Sequence, residues 1–343
     1  MEDKRSAIVS ERISPLPNRN PNPDRNPSPT SEAGPDTRPT PDATPPPARI
    51  PNARLWSASS NGTLLAALGV LSFSFSFPGT AWALEGFGPW SVTGIRGALA
   101  AAIAVVALVV TRAPRPRRAD RTALIVVAVG CVIGFPLLTT LALQTSSTAH
   151  SAVVIGVLPM ATATIGALRT GRHPSKVFWA AAATGAAAVI TFTLAQNHGR
   201  PTVADLYLFC GLLVCAAGYA EGGRLSARLP GWQVIAWGVV LAAPVSLAVC
   251  AIALPVEPVH LGAKAVTGML YVSAVSQFGG FVVWYRGMGL IGVARASQLQ
   301  LAQPLLTLVW AVLLLGERMT AAVPLTAVVV LGCIVVTQRA RAA

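Results

Sequence analysis

Charged residues are scarce in this chain, and acidic residues are the scarcest of them. Only 11% of the 343 residues are charged, whereas soluble domains carry about 25%. Seven of the 13 acidic residues precede residue 60, which leaves six for the rest of the chain: Glu85, Asp120, Asp205, Glu221, Glu257 and Glu317. With a mean hydropathy of +0.59, this scarcity excludes an ordinary soluble globular protein.

The sequence also lacks the motifs of several common chemistries. It contains no glycine-rich P-loop ending in Lys-Ser or Lys-Thr, no HExxH motif and no Ser/His/Asp set within its apolar runs. The cysteines lie in apolar runs without metal-ligand spacing, so we expect free, buried thiols: Cys131, Cys210, Cys215, Cys250 and Cys333. We therefore expect neither an enzyme nor an ATP-driven pump, and no metal or cofactor.

Residues 1–60 contain almost no aromatic residue and are rich in Pro, Asn, Arg, Ser and Thr. Such a segment cannot bury enough apolar surface to offset its chain entropy, so we expect a disordered cytoplasmic tail. No apolar segment typical of a secretory signal follows the first residues. One interpretation is a tail that regulates the protein or binds the membrane surface. The alternative is an inert extension or a wrongly assigned start codon, and this alternative is favoured.

Long apolar runs dominate the rest of the chain. A transmembrane helix needs roughly 20 mostly apolar residues. Ten runs qualify: 63–83, 88–111, 122–142, 148–168, 177–196, 204–223, 232–253, 264–285, 292–315 and 320–338. No strand-like alternation is sustained, so the chain is predicted to be an all-α integral membrane protein with ten transmembrane helices.

The basic residues indicate how these helices cross the bilayer. Loops 112–121, 169–176, 224–228 and 286–295 are rich in Arg and Lys, whereas the intervening loops hold only Arg200, Lys264 and Arg318. Because Lys and Arg accumulate on the cytoplasmic side, both termini are predicted to be cytoplasmic, with a bacterial inner membrane as the expected location. The net charge of +13 is explained by these loops and tails, so no nucleic-acid partner is expected.

The chain contains an internal repeat. An offset of 145 residues carries Pro159 onto Pro304 and Gly171 onto Gly316, and Trp90 is separated from Trp232 by 142 residues. The first five predicted helices (61–198) and the last five (199–343) are therefore interpreted as two copies. Because five is odd, the second copy must enter the bilayer from the opposite side, which predicts an inverted-repeat architecture.

These motifs resemble those of the drug/metabolite transporter superfamily, specifically EamA-type proteins. The residues that carry the resemblance are Ala149…Pro159…Gly171, Ala294…Pro304…Gly316-Glu317-Arg318-Met319-Thr320, and Arg96 six residues after Trp90. The resemblance covers roughly residues 62–338. It departs from the family at Gly171-Arg172, where Gly-Glu is common. It implies a transporter of small metabolites, often an exporter, with a central cavity between the two halves.

Polar residues at membrane depth are costly and are therefore candidates for function. Ser297, Gln300, Gln303 and Thr307 share one face of the ninth predicted helix, beside Pro304, which frees a backbone carbonyl. They either line a cavity or join this helix to a neighbour. Their counterparts Ile155 and Leu158 are apolar, so a cavity there would be asymmetric. The remaining substrate-binding candidates are Gln277, Ser76 and Tyr219, with close helix packing as the alternative for Ser76.

Four further residues are candidates for charge compensation or proton coupling. Arg96 either compensates an anionic substrate group or Glu85, or extends to the outer membrane face. Glu221 lies within reach of Arg224 and is expected to form an interfacial pair. His150 could titrate near neutral pH, although an exposed cap-like histidine is more common. Glu317-Arg318 is expected to end the ninth helix. Transport by a facilitator or exchanger that uses no proton is an equally open alternative.

Together these features predict a secondary transporter of a small amino-acid-like or amphipathic metabolite that works by alternating access, with export as the expected direction. Its partners are the substrate and the lipid bilayer, and a homodimer is left open. The alternative is a membrane interaction or sensor protein that uses the same fold without transport. Deletion of residues 1–60 separates the two, since transport should survive this deletion whereas a tethering role should not.

Overall fold

The computed structural model describes residues 52–169, 175–196, 199–226, 228–291 and 299–341. Most of the predicted tail and the repeat residues Gly171, Arg172 and Ala294 lie outside these ranges, as does Ser297. Within these ranges the regular secondary structure is helical, apart from one isolated bridge between Phe87 and Val259. The prediction of an all-α protein is thus confirmed for the described part.

Eight helices are long and apolar enough to cross a membrane. They are α1 (Asn61–Leu84), α2 (Pro89–Val110), α3 (Arg118–Ala142), α4 (Thr148–Arg169), α5 (Lys176–Gln196), α6 (Val203–Ser226), α7 (Gly231–Ala253) and α8 (Ala263–Ile291). The helix that forms the first part of α1 begins already at Asn52 and ends at Ser74. Two shorter apolar helices follow, α9 (Ala302–Leu315) and α10 (Ala322–Arg341). The first eight match the predicted helices within a few residues. The ninth predicted run is described only from residue 299 onward, where α9 follows a turn at Gln300–Leu301.

Three of these helices are interrupted just before a proline. The first breaks at Phe75, α4 breaks after Ile155 and resumes at Leu158, and a turn at Gln300–Leu301 precedes α9. Proline has no backbone N–H, so the carbonyl four residues earlier loses its helical donor. The breaks in α4 and before α9 lie at repeat-equivalent positions.

The third helix of each copy carries a wider π-helical segment. These segments span Ala128–Gly134 within α3 and Tyr271–Gly279 within α8. A π-helical turn shifts the backbone hydrogen-bond partner by one residue and is frequently found at functional sites. Both copies therefore deform the same helix at about the same depth.

The helices pack in a pattern that is preserved when the first five are exchanged with the last five. α2 packs on α7, α4 on α9 and α5 on α10, while α1 packs on α8 as α6 packs on α3. Small residues allow these close approaches. A Cβ atom added to Gly69 of α1 would lie 2.8 Å from the Trp284 Cβ of α8, and one on Gly97 of α2 would overlap the Ser246 hydroxyl of α7.

Candidate functional site

The interrupted ends of α4 and α9 face each other across a small cavity. Its volume is about 20 Å³, which is room for about one water molecule. Phe77 of α1 closes one side. The other lining residues are Ala152, Ile155, Gly156, Leu158, Pro159, Gln300, Gln303, Pro304 and Thr307. The cavity is therefore too small to hold a metabolite in this conformation.

Repeat-equivalent residues meet in this cavity. Pro159 and Pro304 both line it, as do the pairs Ile155 and Gln300, and Leu158 and Gln303. In each pair the first copy provides the apolar member and the second copy the amide. The cavity thus has one hydrogen-bonding wall and one apolar wall, which suits a ligand with a polar and an apolar side.

The two amides are not used to join helices. Gln300 is buried and Gln303 half-buried, yet within the described ranges neither side chain hydrogen-bonds to another residue. Thr307 behaves differently, because its hydroxyl lies 2.8 Å from the Ser74 carbonyl and 3.0 Å from the Gln303 carbonyl. Ser74 is the residue whose carbonyl Pro78 deprives of its helical donor. The packing interpretation therefore holds for Thr307, whereas the residues that the structure describes offer the two glutamines no hydrogen-bond partner.

A second polar cluster lies between α2, α8 and α1. Arg96 donates from Nε to Gln277 Oε1 at 2.8 Å and from Nη2 to the Ser276 hydroxyl at 3.1 Å. The Ser276 and Ser76 hydroxyls are 2.6 Å apart, and Gln277 Nε2 donates to the Cys131 carbonyl at 3.2 Å. Arg96 is 6% exposed and Gln277 is fully buried. Both π-helical segments contribute to this cluster, which we call the Arg96 cluster.

The Arg96 cluster changes two expectations from the sequence. Arg96 does not extend to the membrane surface, and Glu85 is not its partner, since Glu85 is exposed and lies 3.6 Å from Lys264. Gln277 and Ser76 belong to this cluster and not to the lining of the cavity. Tyr219 is not among the residues that line the cavity, and its half-buried ring packs on Phe281 with centroids 5.9 Å apart.

Ion pairs occupy the ends of the helices. Glu221 accepts hydrogen bonds from Arg169 and from Arg224, whose Nη2 lies 2.7 Å away. The sequence suggested Arg224 as a partner and missed Arg169, which lies 52 residues away. At the other end of α4, His150 Nε2 lies 2.7 Å from Asp205 Oδ1 and its ring stacks on Phe192. His150 also lines a polar vestibule of about 210 Å³.

Glu317 connects the two copies. Gly316 ends α9 with a left-handed φ of 67°, as the sequence predicts, and the next residue turns back to α4. The Glu317 carboxylate accepts hydrogen bonds from the backbone N–H groups of Thr148 and Ala149 at 2.7 and 2.9 Å. These groups are unpaired at a helix N-terminus and favour a negative charge. Glu317 thus caps α4 besides following α9.

Glu257 forms a similar cap at another helix. Its carboxylate accepts from the N–H groups of Trp90 and Ser91 at the start of α2, at 3.2 and 2.7 Å. No local pattern of residues indicates this contact, because 166 residues separate Ser91 from Glu257. Within the described ranges, no three His, Cys, Asp or Glu side chains converge as metal ligands would.

The apolar helices, the internal repeat and the cavity between interrupted helices define a multi-pass integral membrane transporter. The EamA-like transporter family matches the chain twice, over residues 60–194 and 202–338. The chain therefore belongs to the EamA-like transporter family.

Individual proteins agree with this assignment. The chain is 41% identical over 281 residues to the uncharacterized transporter YdeK of Bacillus subtilis (strain 168), covering 82% of this chain and 98% of that protein. A solved crystal structure with 18% sequence identity superposes with a TM-score of 0.58, over 82% of this chain and 98% of the other. At this identity the second likeness concerns the fold alone.

Proposed function

We propose that this protein moves a small, amphipathic, amino-acid-like metabolite across the membrane by alternating access, with export as the direction. The observation that carries the proposal is the cavity between α4 and α9. There, repeat-equivalent broken helices face each other, and two glutamine side chains make no hydrogen bond to any residue that the structure describes. Discontinuous helices at a repeat interface are typical of substrate sites in secondary transporters.

The proposed architecture is a pair of inverted repeats of five membrane-crossing helices, 61–198 and 199–343, with both termini in the cytoplasm of a bacterial cell. The exchange-symmetric packing of the helices supports it, as do the matched π-helical segments. Single cysteines introduced near residues 88 and 231, in a background without the native cysteines, test it by labelling with a membrane-impermeant reagent. We expect labelling from opposite sides, and labelling from the same side would overturn the inverted arrangement.

The proposed substrate contacts are the Gln300 and Gln303 side chains. An amide offers both donors and an acceptor, so the wall can bind a polar group of either kind. Among the described residues that line the cavity, none has a titratable side chain. This favours a facilitator or an exchanger over a transporter that protonates a cavity carboxylate.

The direct experiment is transport by purified protein in liposomes, with amino acids, purine-type metabolites and cationic drugs as the panel. We expect at least one class to cross, and we expect Gln303→Leu to abolish or redirect transport without loss of expression. Gln144→Leu is the matched control, because Gln144 is exposed at the end of α3 and its amide has no role in the cavity. Unchanged kinetics in Gln303→Leu would remove this residue from the site.

A further inference from the structure

Arg96 is a buried cation, and none of the six acidic side chains beyond residue 60 serves as its counter-charge. Every acidic side chain beyond residue 60 has other partners. Three of them face cations: Glu85 with Lys264, Asp120 with Arg228 at 3.2 Å, and Glu221 with Arg169 and Arg224. A fourth, Asp205, is hydrogen-bonded to His150. The other two, Glu257 and Glu317, cap helices through backbone N–H groups. Among the described residues, no carboxylate pairs with Arg96.

The surroundings of Arg96 are polar but neutral. It lies about 10 Å along α2 from Pro89, and its partners are the side-chain oxygens of Gln277 and Ser276. A guanidinium has five N–H donors, of which these bonds use two. A cation buried without an opposite charge is strongly unfavourable, and an ionised residue at membrane depth generally serves a substrate or an ion.

The Arg96 cluster lies next to the cavity. The Ser76 hydroxyl contacts the Ser276 hydroxyl of the cluster, and the following residue, Phe77, lines the cavity. Both residues belong to the segment that starts after the break at Phe75 and contains Pro78. A single interrupted turn of α1 therefore separates Arg96 from the two glutamines.

We propose that the Arg96 cluster binds the carboxylate of the transported substrate, an inference that rests on the proposed transport function. The planar guanidinium matches a carboxylate with two parallel N–H bonds, and the Ser76 and Ser276 hydroxyls add donors. Displacement of the Ser76–Phe77 turn joins the cluster to the cavity, so that the rest of the substrate reaches Gln300 and Gln303.

The charge of the site selects a monoanion. Arg96 is the single basic side chain among the buried residues of the described ranges. One guanidinium neutralises one carboxylate, whereas a phosphate dianion would keep an excess negative charge inside the membrane. The substrate class is therefore a small organic monocarboxylate, including a zwitterionic amino acid, and not a phosphate ester.

The test compares compounds that differ only in the carboxylate. Leucine and leucinamide, and phenylalanine and phenylalaninamide, are offered to the full-length protein in liposomes. We expect the acid of at least one pair to be transported at least tenfold more efficiently than its amide. Arg96→Gln should remove that preference, and Arg96→Lys should retain part of it. Lys264→Gln is the matched control, because it removes one exposed positive charge and should leave the preference unchanged.

The outcomes separate this assignment from the proposed function. Transport of neutral or cationic compounds with equal rates for acid and amide, or faster transport of a phosphate ester, would overturn the role of Arg96 and leave transport intact. A preference that survives in Arg96→Gln would overturn it as well. If no compound of the broad panel crosses with folded protein, the proposed function falls and this inference with it. Where Arg96→Gln does not fold, equal transport rates for acid and amide in the wild-type protein would still overturn the assignment.

Discussion

Replacement of Glu317 by alanine removes a contact between the two copies of the repeat. The carboxylate belongs to the segment after α9, and its two partners are the first N–H groups of α4. In Glu317→Ala these groups lose their acceptor, and the positive end of α4 loses its neighbouring charge. Because the contact crosses from one copy to the other, we expect its loss to lower stability and, in the proposed alternating-access cycle, to shift the equilibrium between conformations.

The magnitude follows from the two hydrogen bonds. A hydrogen bond to a charged group contributes about 1.5–3 kcal/mol when it is well buried, and Glu317 is only half-buried. Counting about 1 kcal/mol for each bond gives about 2 kcal/mol, the upper end of the range for loss of a helix N-cap. In a chain of this size that corresponds to a fall in Tm of about 3 °C, or to a change of about 30-fold in an equilibrium between two conformations.

The assay has two readouts on the same purified variants. Thermal unfolding in detergent should show the lower Tm for Glu317→Ala and a smaller fall for Glu317→Gln, whose amide oxygen accepts one bond. A cysteine at position 303, in a background without the native cysteines, should react faster from the vestibule side in Glu317→Ala. Glu85→Ala is the control, because Glu85 is exposed and paired only with Lys264, and its Tm should not change. An unchanged Tm in Glu317→Ala would refute the reasoning.

Three further predictions concern stability and pH dependence. Gly97→Val should lower stability by about 1–3 kcal/mol, because its side chain overlaps the Ser246 hydroxyl; thermal unfolding should show partial recovery when Ser246→Gly is added. Thr307→Val keeps the shape but leaves the Ser74 carbonyl without its donor, which should cost about 1–3 kcal/mol in the same measurement. Glu221→Gln should leave the pH profile of transport unchanged, because its carboxylate pairs with surface arginines and does not line the cavity; a flattened profile would instead show that Glu221 carries the proton.

The positions of the membrane helices could be read from the sequence because the bilayer sets their length. Hydrocarbon thickness requires long apolar runs, and eight of the predicted runs match helices within a few residues. The last predicted run forms α10 over nearly its full length. The helix α9 begins only at Ala302, because the interruption at Gln300–Leu301 is a backbone effect of Pro304 that hydropathy does not register. The repeat offset was also visible in the sequence, and it correctly paired the residues that meet in the cavity.

The polar candidates were less predictable, because a polar residue in an apolar run does not reveal which helix it faces. Gln300 and Gln303 do line the cavity with their apolar counterparts, as the repeat alignment indicated. Gln277 and Ser76 had the same sequence signal, yet their side chains serve Arg96. Whether the Gln303 amide on α9 or the Gln277 amide on α8 faces the cavity depends on the rotation of each helix about its axis. Tertiary packing sets that rotation.

The sequence by itself determined the membrane class, the helix positions and the two related copies, since apolar length and a constant offset are properties of the linear chain. Only the tertiary structure decided the contacts across the copies. Arg96 meets Gln277 across 181 positions and Glu317 meets Thr148 across 169. Such contacts depend on the rotation and packing of the helices relative to one another, which no local pattern of residues encodes.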